Sequence, residues 1–251
     1  MPKEETKHRQ EAEAAVPGHP RCSDPSVRWR KDRQPVLILM LGAALTAVAV
    51  GAPSVSVSAG NIYLTNEAGN SKQLTASGLD SEPALFPDHK WVVFVRSASG
   101  KPTMTGADDD IKPTELWQIG ANGRDATLLV RCRNADMKSG SADMTTVIAV
   151  FRDMHFSSDG RYVFFITPAW AVSGAVHVVD TTNAKEHFVC PGNGLEVLHS
   201  GEYRDYLLVE QHRYFLGGGS YDWWWLFSRD GKEVGPVGED ASNFKESYLR
   251  E

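Results

Sequence analysis

The sequence predicts an all-β fold, and three observations carry this prediction. Short apolar runs alternate with turns rich in Asn, Asp and Gly between residues 61 and 237, which is the pattern of strands joined by hairpins. Two kinds of hairpin unit recur in turn along this stretch. The chain also contains ten Phe, seven Trp and seven Tyr, residues that favour strands. Repeated groups of four short strands indicate propeller-like blades.

The first kind of unit is an apolar strand, a turn of two to four Asn, Asp, Gly or Thr residues, and a returning strand. Such turn residues tolerate a positive φ or bond their own backbone. Four copies occur, at residues 61–75, 115–130, 175–189 and 224–237. Each copy predicts one β-hairpin.

The second kind of unit is a turn of the Asp-Gly type, followed by a cation and a mostly apolar strand. Its copies are residues 81–97, 153–167 and, in weaker form, 195–211. Two polar segments, 101–112 and 133–146, interrupt the repeats and are predicted as loops.

Together the units make about three and a half to four recognisable blades, whereas a propeller ring needs about four to close. The sequence therefore leaves three arrangements: a degenerate extra blade, an open ring, or completion by a second chain. Ser54–Ser58 alternates at the period of a strand and could supply a missing one. Self-association through open blade edges is the expected alternative.

At this point the repeats resemble a known family. IYLTNEAGNSKQLT, followed by DSEPALFPDHKWVVFV, is similar to the repeat of the TolB-type WD40-like (PD40) β-propellers. The matching positions are Ile62, Tyr63, Gly69, Leu74, Thr75, Ser81, Pro83, Pro87, Asp88, Lys90 and Phe94. His89 stands where that repeat usually has Gly. The resemblance implies a propeller that serves as a binding platform in the bacterial periplasm, or as a domain attached to a peptidase.

The N-terminal part differs from the repeats in charge and hydropathy. Residues 1–34 carry eight Lys or Arg and six Asp or Glu, and are predicted as a flexible cytoplasmic arm. Residues 35–52 contain no charge and are long enough for a transmembrane helix or signal anchor. Four cations between residues 28 and 33 precede them, so the rest of the chain is expected in the periplasm.

Two alternatives to this anchor remain at the level of sequence. The apolar run could be a secretory signal, because Ala47-Val48-Ala49 and Val57-Ser58-Ala59 offer small residues at cleavage-like spacing. It could also be a buried core helix. The anchor predicts a single-pass protein of the bacterial inner membrane, the signal a protein released into the periplasm. The domains are then 1–34, 35–52, a propeller domain over 53–240, and a C-terminal tail over 241–251.

No motif in the sequence predicts catalysis, a cofactor or a metal. A net charge of −6 argues against a nucleic-acid-binding surface. The nearest approach to a serine-hydrolase elbow is Gly218-Gly219-Ser220-Tyr221-Asp222, where Asp222 replaces the final Gly. The eight His form no HxxxH or HExxH pair.

The candidate partner-binding residues are Tyr221, Trp223, Trp224 and Trp225. Strand alternation sends Trp223 and Trp225 to one face and Trp224 to the other. Trp and Tyr are enriched at interface hot spots, but packing between blades would use the same residues. Cys132 and Cys190 could pair in an oxidising compartment, or remain two separate buried thiols.

These observations favour a membrane-anchored, non-enzymatic propeller that binds a protein or peptide partner in the cell envelope. The alternative is an accessory or remnant propeller domain of a serine peptidase or hydrolase system.

Overall fold

A computed structural model of the chain describes residues 51–101, 103–104 and 110–248. These residues form an all-β body with one short helix, and the three- and four-stranded sheets are four antiparallel blades. No helix among them is both long and apolar enough to cross a bilayer. The arm predicted over 1–34 and the span predicted over 35–52, except for its last two residues, lie outside the described residues.

Blade 1 has three strands and blade 2 has four. Blade 1 consists of β1 (Ser54–Ser58), β2 (Asn61–Thr65) and β3 (Ser71–Gln73). Blade 2 consists of β4 (Asp80–Leu85), β5 (Trp91–Ser97), β8 (Thr114–Gly120) and β9 (Thr127–Arg131), with the small hairpin β6 (Thr103–Met104) and β7 (Asp110–Ile111) inserted between β5 and β8.

Blades 3 and 4 each have four strands. The connection from blade 2 holds a second small hairpin, β10 (Asp136–Lys138) and β11 (Ser141–Asp143). Blade 3 consists of β12 (Arg152–Phe156), β13 (Tyr162–Trp170), β14 (Ser173–Asp180) and β15 (Lys185–Gly192). Blade 4 consists of β16 (Gly194–Val197), β17 (Leu207–Tyr214), β18 (Ser220–Phe227) and β19 (Glu233–Gly238), and helix α1 (Ser242–Tyr248) follows.

The repeats read from the sequence are the hairpins of these blades. Residues 61–75 contain β2 and β3, and the other three copies of the first unit contain β8–β9, β14–β15 and β18–β19. The second unit contains β4–β5, β12–β13 and β16–β17. The two segments predicted as loops differ, because each includes a short two-stranded hairpin. The predicted tail over 241–251 contains helix α1.

In blades 2 and 3, strand alternation divides the apolar side chains between the two neighbouring blades. In blade 3, Phe164 packs in the cluster shared with blade 4, whereas the adjacent Phe165 packs in the cluster shared with blade 2. In blade 2, Phe94 packs toward blade 1 and Val95 toward blade 3. Because consecutive strand residues point to opposite faces, blades 2 and 3 each bury apolar side chains against both of their neighbours.

The turn between β4 and β5 explains how the repeat accommodates His89. In blade 3, Gly160 occupies the corresponding turn with a φ of 69°. In blade 2, His89 adopts a φ of 57°, so it takes up the same left-handed conformation. Glycine favours this region because it has no Cβ. His89 therefore replaces the glycine of the TolB-type repeat without changing the conformation of the turn.

The two outward faces of the array are finished differently. On blade 1, alternation directs hydroxyl and amide side chains of all three strands away from blade 2, including Ser56, Tyr63 and Gln73. On blade 4, the outward face carries Leu208 and Leu226, which pack in a cluster with Phe244 of helix α1. The outward face of blade 1 is thus polar, and the outward face of blade 4 is covered by the helix.

Strand β1 belongs to blade 1 itself. Ser54–Ser58 pairs in antiparallel register with β2, from Ser54 opposite Thr65 to Ser58 opposite Asn61. Among the described residues, the hydrophobic clusters join blade 1 to 2, 2 to 3 and 3 to 4, and none joins blade 4 to blade 1. The segment therefore supplies a strand, as the sequence suggested, but its partner in the structure is β2 and not the last blade.

Candidate functional site

The blades have two chemically distinct ends. Antiparallel strands alternate in direction, so the β1–β2, β5–β8, β13–β14 and β17–β18 connections and the links between blades lie at one end. Hydrogen bonds agree with this grouping: Asp80 N–H donates to Gly60 O over 2.8 Å, and Asn193 Nδ2 donates to Val172 O over 3.0 Å. We call this end the apolar end and the opposite end the turn end.

Exposed hydrophobic side chains concentrate at the apolar end. Of nine large hydrophobic residues that are exposed in the described part of the chain, only Val234 lies at the start of a strand at the turn end. The other eight lie in or beside connections at the apolar end: Val57, Leu79, Met137, Trp170, Val172, Tyr214, Phe215 and Leu216. Singly exposed apolar residues need no explanation, but a concentration on one side marks an interaction surface.

The β17–β18 hairpin is the most exposed part of this end. Tyr214 is 67% exposed, Phe215 is 53% exposed and Leu216 is fully exposed. The turn is closed by Phe215 N–H donating to Gly219 O over 3.1 Å. Gly218 and Gly219 have φ values of 94° and 85°, which L residues rarely adopt. These two glycines therefore allow a tight turn that holds three apolar side chains in solvent.

An aromatic ladder leads from this hairpin into the body. The Phe215 and Tyr221 rings lie 4.5 Å apart, and the Tyr221 and Trp223 rings lie 4.9 Å apart. Tyr221 and Trp223 are half-buried and pack against the cluster between blades 3 and 4. The ladder thus connects exposed apolar surface to the rigid core, which limits the entropy that these rings lose on contact with a partner.

The four predicted partner-binding residues separate into three environments. Tyr221 and Trp223 belong to the ladder. Trp225 is buried in the core between blades 3 and 4, with the Arg213 guanidinium 3.4 Å from its ring centroid. Trp224 lies on the opposite face and packs against the cluster that includes helix α1. Alternation predicted these two faces correctly.

Sequence reasoning missed the most exposed residues of the site. Tyr214, Phe215 and Leu216 directly precede Gly217-Gly218-Gly219. Three consecutive apolar residues beside a glycine-rich hairpin turn cannot all be buried in the blade. This pattern could have identified them as exposed. Ser220, the residue of the incomplete elbow, is exposed and is the first residue of β18, opposite Tyr214.

Polar side-chain contacts flank the ladder. On the outward face of blade 4, His212 Nδ1 and Asp222 Oδ1 lie 2.8 Å apart. On the inward face, Arg213 donates to Gln211 Oε1 over 2.8 Å through Nε and also pairs with Glu233. These pairs hold the strands of the hairpin in register beside the aromatic rings.

A cleft of about 630 Å³ opens at the same end, beside blade 3. Its apolar wall contains Ile166, Pro168, Trp170 and Val172, and its polar side contains Arg152, Asp153, Ser173 and Asn193. Ile166 also belongs to the cluster against which Tyr221 and Trp223 pack. The cleft and the aromatic ladder are therefore neighbouring parts of the apolar end.

Cys132 and Cys190 are both free thiols in the structure. Cys132 packs against the cluster between blades 2 and 3 and donates to Ala149 O over 2.9 Å. Cys190 belongs to the cluster between blades 3 and 4. Burial raises the pKa of the Cys132 thiol and raises that of Cys190 to about 12. Both thiols therefore carry their proton at neutral pH.

Within the described ranges, no group of three or more His, Cys, Asp or Glu side chains is arranged to hold a metal ion. Protein-family models and curated proteins give no match to the chain.

Solved structures do give matches at low identity. Porphyromonas gingivalis dipeptidyl peptidase 4 is 10% identical over 75% of this chain and 31% of its own, with a TM-score of 0.48. The β-propeller domain of the Trilobed protease from Pyrococcus furiosus is 14% identical over 70% and 47%, with a TM-score of 0.46. The putative TolB from Agrobacterium tumefaciens is 11% identical over 74% and 79%, with a TM-score of 0.31. The chain thus spans less than half of the first two structures.

Proposed function

We propose that the protein is a non-enzymatic binding platform of the bacterial envelope, which is held at the inner membrane by residues 35–52 and docks a protein or peptide partner at its apolar end. The observation that carries this proposal is the concentration of exposed hydrophobic side chains at that end. Rigid aromatic residues beside an exposed apolar tip have the composition of an interface hot spot.

The docking surface can be tested by site-specific photo-crosslinking in bacterial cells that express the full chain. A photoreactive amino acid at Leu216 should give a discrete crosslinked species of higher mass. The same amino acid at Val234, which is 51% exposed at the opposite end, serves as the matched control and should give none. Equal crosslinking at both positions, or none at Leu216, would contradict docking through the apolar end.

The location can be tested separately with reporter fusions. Alkaline phosphatase is active only in the periplasm, so a fusion after Ser97 should be active if the basic flank stays in the cytoplasm. Replacing Arg28, Arg30, Lys31 and Arg33 with Asn should reduce that activity. If a cytoplasmic reporter fused after Ser97 is active and alkaline phosphatase fused there is not, the proposed orientation is refuted. The docking surface is tested separately by crosslinking.

A further inference from the structure

The cleft beside Trp170 contains a cationic group, Arg152, that has no ion-pair partner in the described part of the chain. Arg152 lines the cleft and is exposed. Among the described residues, no carboxylate lies within ion-pair distance of its guanidinium and none accepts a hydrogen bond from it. Arginine stays charged at any physiological pH and offers a planar fork of donors. The cleft therefore presents a permanent positive charge with free donors.

The neighbouring carboxylate, that of Asp153, already has two partners within the protein. Asp153 Oδ1 lies 2.9 Å from His155 Nε2, and Asp153 Oδ2 accepts from Leu195 N–H over 3.0 Å. The second bond links blade 3 to the first strand of blade 4. Asp153 also holds a φ of 51° in an irregular part of the β12–β13 pairing. Each Asp153 oxygen thus already has a partner in the protein, although its charge still lines the cleft. The Arg152 guanidinium has no such partner among the described residues and can bind an external anion.

The floor of the cleft is fixed before any ligand arrives. Asn193 Oδ1 accepts from Gly174 N–H over 3.0 Å, while its Nδ2 donates to Val172 O. A Cβ at Gly174 would lie 2.8 Å from Gly192 O and 2.8 Å from Ile166 Cγ2, so the glycine is needed for this close approach. A preformed site costs little ordering entropy when a ligand binds.

The opposite wall is apolar. Ile166, Pro168, Trp170 and Val172 face the same space as Arg152, and Trp170 is held edge-on against Phe188 with ring centroids 6.2 Å apart. One cation beside an apolar wall selects a ligand that carries one anionic group and an apolar body. A planar carboxylate fits the guanidinium fork through two parallel hydrogen bonds.

We propose that this cleft binds a carboxylate with an adjacent apolar group, the chemistry shared by the free C-terminus of a peptide and by a small apolar organic acid. The site shares Trp170 and Val172 with the apolar end, but it names a ligand group and does not use the β17–β18 hairpin. It also does not depend on the membrane anchor.

The experiment measures binding of a fluorescein-labelled peptide, Gly-Ala-Ala-Phe with a free C-terminus, to the full chain in detergent micelles by fluorescence anisotropy. The same peptide with a C-terminal amide should bind at least about tenfold more weakly, because it lacks the charge that the guanidinium recognises. Arg152→Gln should weaken binding of the acid peptide by a similar factor, to the level of the amide. Arg152→Lys, which keeps the charge and loses the fork, should fall between them.

Three controls make the result specific. Arg131→Gln removes an exposed arginine that pairs with Glu115 on blade 2, and should leave peptide binding unchanged. Val234→Ser, at the turn end, should also leave it unchanged. The crosslinking test at Leu216 is a separate measurement, so failure of the hairpin and failure of the cleft are separable. Unchanged melting temperature of Arg152→Gln excludes misfolding. Equal binding of acid and amide peptides, or full binding by Arg152→Gln, would overturn the proposal.

Competition identifies the source of the carboxylate. If 3-phenylpropionate displaces the acid peptide at a similar concentration, the cleft recognises the acid and its apolar group alone. If it competes at least about tenfold more weakly than unlabelled peptide, the peptide backbone contributes and the ligand is a protein C-terminus. Either result supports a carboxylate site.

Discussion

Replacing Phe165 with alanine is expected to lower the free energy of unfolding by about 3–5 kcal/mol. The side chain is fully buried, lies 5.0 Å from Phe151 in an edge-on contact, and stacks on His177 at 5.7 Å. It belongs to the cluster that joins blades 2 and 3. Since domains have a total stability of about 5–15 kcal/mol, this one change should remove a large part of it.

Urea unfolding of the full chain in detergent, followed by tryptophan fluorescence, measures this effect. Val234→Ala is the control, because its side chain is 51% exposed and its removal should change stability by no more than about 0.5 kcal/mol. If Phe165→Ala lowers the free energy of unfolding by less than about 1 kcal/mol, the expectation of a closely packed core between blades 2 and 3 is contradicted.

Asp80→Ala is expected to cost about 3 kcal/mol, the low end for a broken buried ion pair. The Asp80 side chain is fully buried, and its two oxygens accept from Arg96 Nε and Nη2 over 2.6 and 3.1 Å. The guanidinium also stacks near the Phe94 and Trp117 rings. Alanine leaves Arg96, only 24% exposed, without its counter-charge at the start of blade 2.

The same pair gives a pH dependence with a defined sign. Burial alone would raise the pKa of Asp80, but hydrogen bonds from Arg96, Thr75 and Ser77 outweigh it and lower the pKa below its ordinary value. A carboxylate with a lowered folded-state pKa stabilises the protein above its unfolded pKa of about 3.9, and this contribution is lost as the pH falls further. Stability of the wild type should therefore fall below about pH 4 more steeply than that of Asp80→Ala.

The matched control for Asp80 is Asp88→Ala. Asp88 pairs with Lys90 at 3.6 Å, and both side chains are exposed, so its loss should cost about 0–1 kcal/mol. A comparable loss for Asp80→Ala and Asp88→Ala would contradict the structural role of the buried pair.

The blades could be predicted because the sequence patterns that specify their strands and turns are local. A hairpin such as β2–β3 is specified within fifteen residues by alternation and by its Asn- and Gly-rich turn. The estimate of three and a half to four blades followed by adding these units, and it agrees with one three-stranded and three four-stranded sheets. The faces of Trp223, Trp224 and Trp225 followed from the period of two.

The functional surfaces were less predictable because they depend on contacts between distant segments. The cleft combines Arg152 of β12 with Trp170 of β13 and Asn193 of the link to blade 4. No local pattern predicts that the Asp153 carboxylate accepts a hydrogen bond from the Leu195 N–H, 42 residues away. Helix α1 was also missed, since its seven residues are stabilised by packing of Phe244 and Ala241 on blade 4 and hardly by intrinsic propensity.

Helix α1 has a consequence for how such a chain can lengthen in evolution. Repeat arrays grow when a duplicated unit stacks on an apolar face that its predecessor leaves open. Here Phe244 already covers that face of blade 4, so a copy appended after residue 248 would find nothing to pack against. A duplication between blades 3 and 4 would keep both finished ends in place. The helix therefore covers the face on which an appended blade would have to stack.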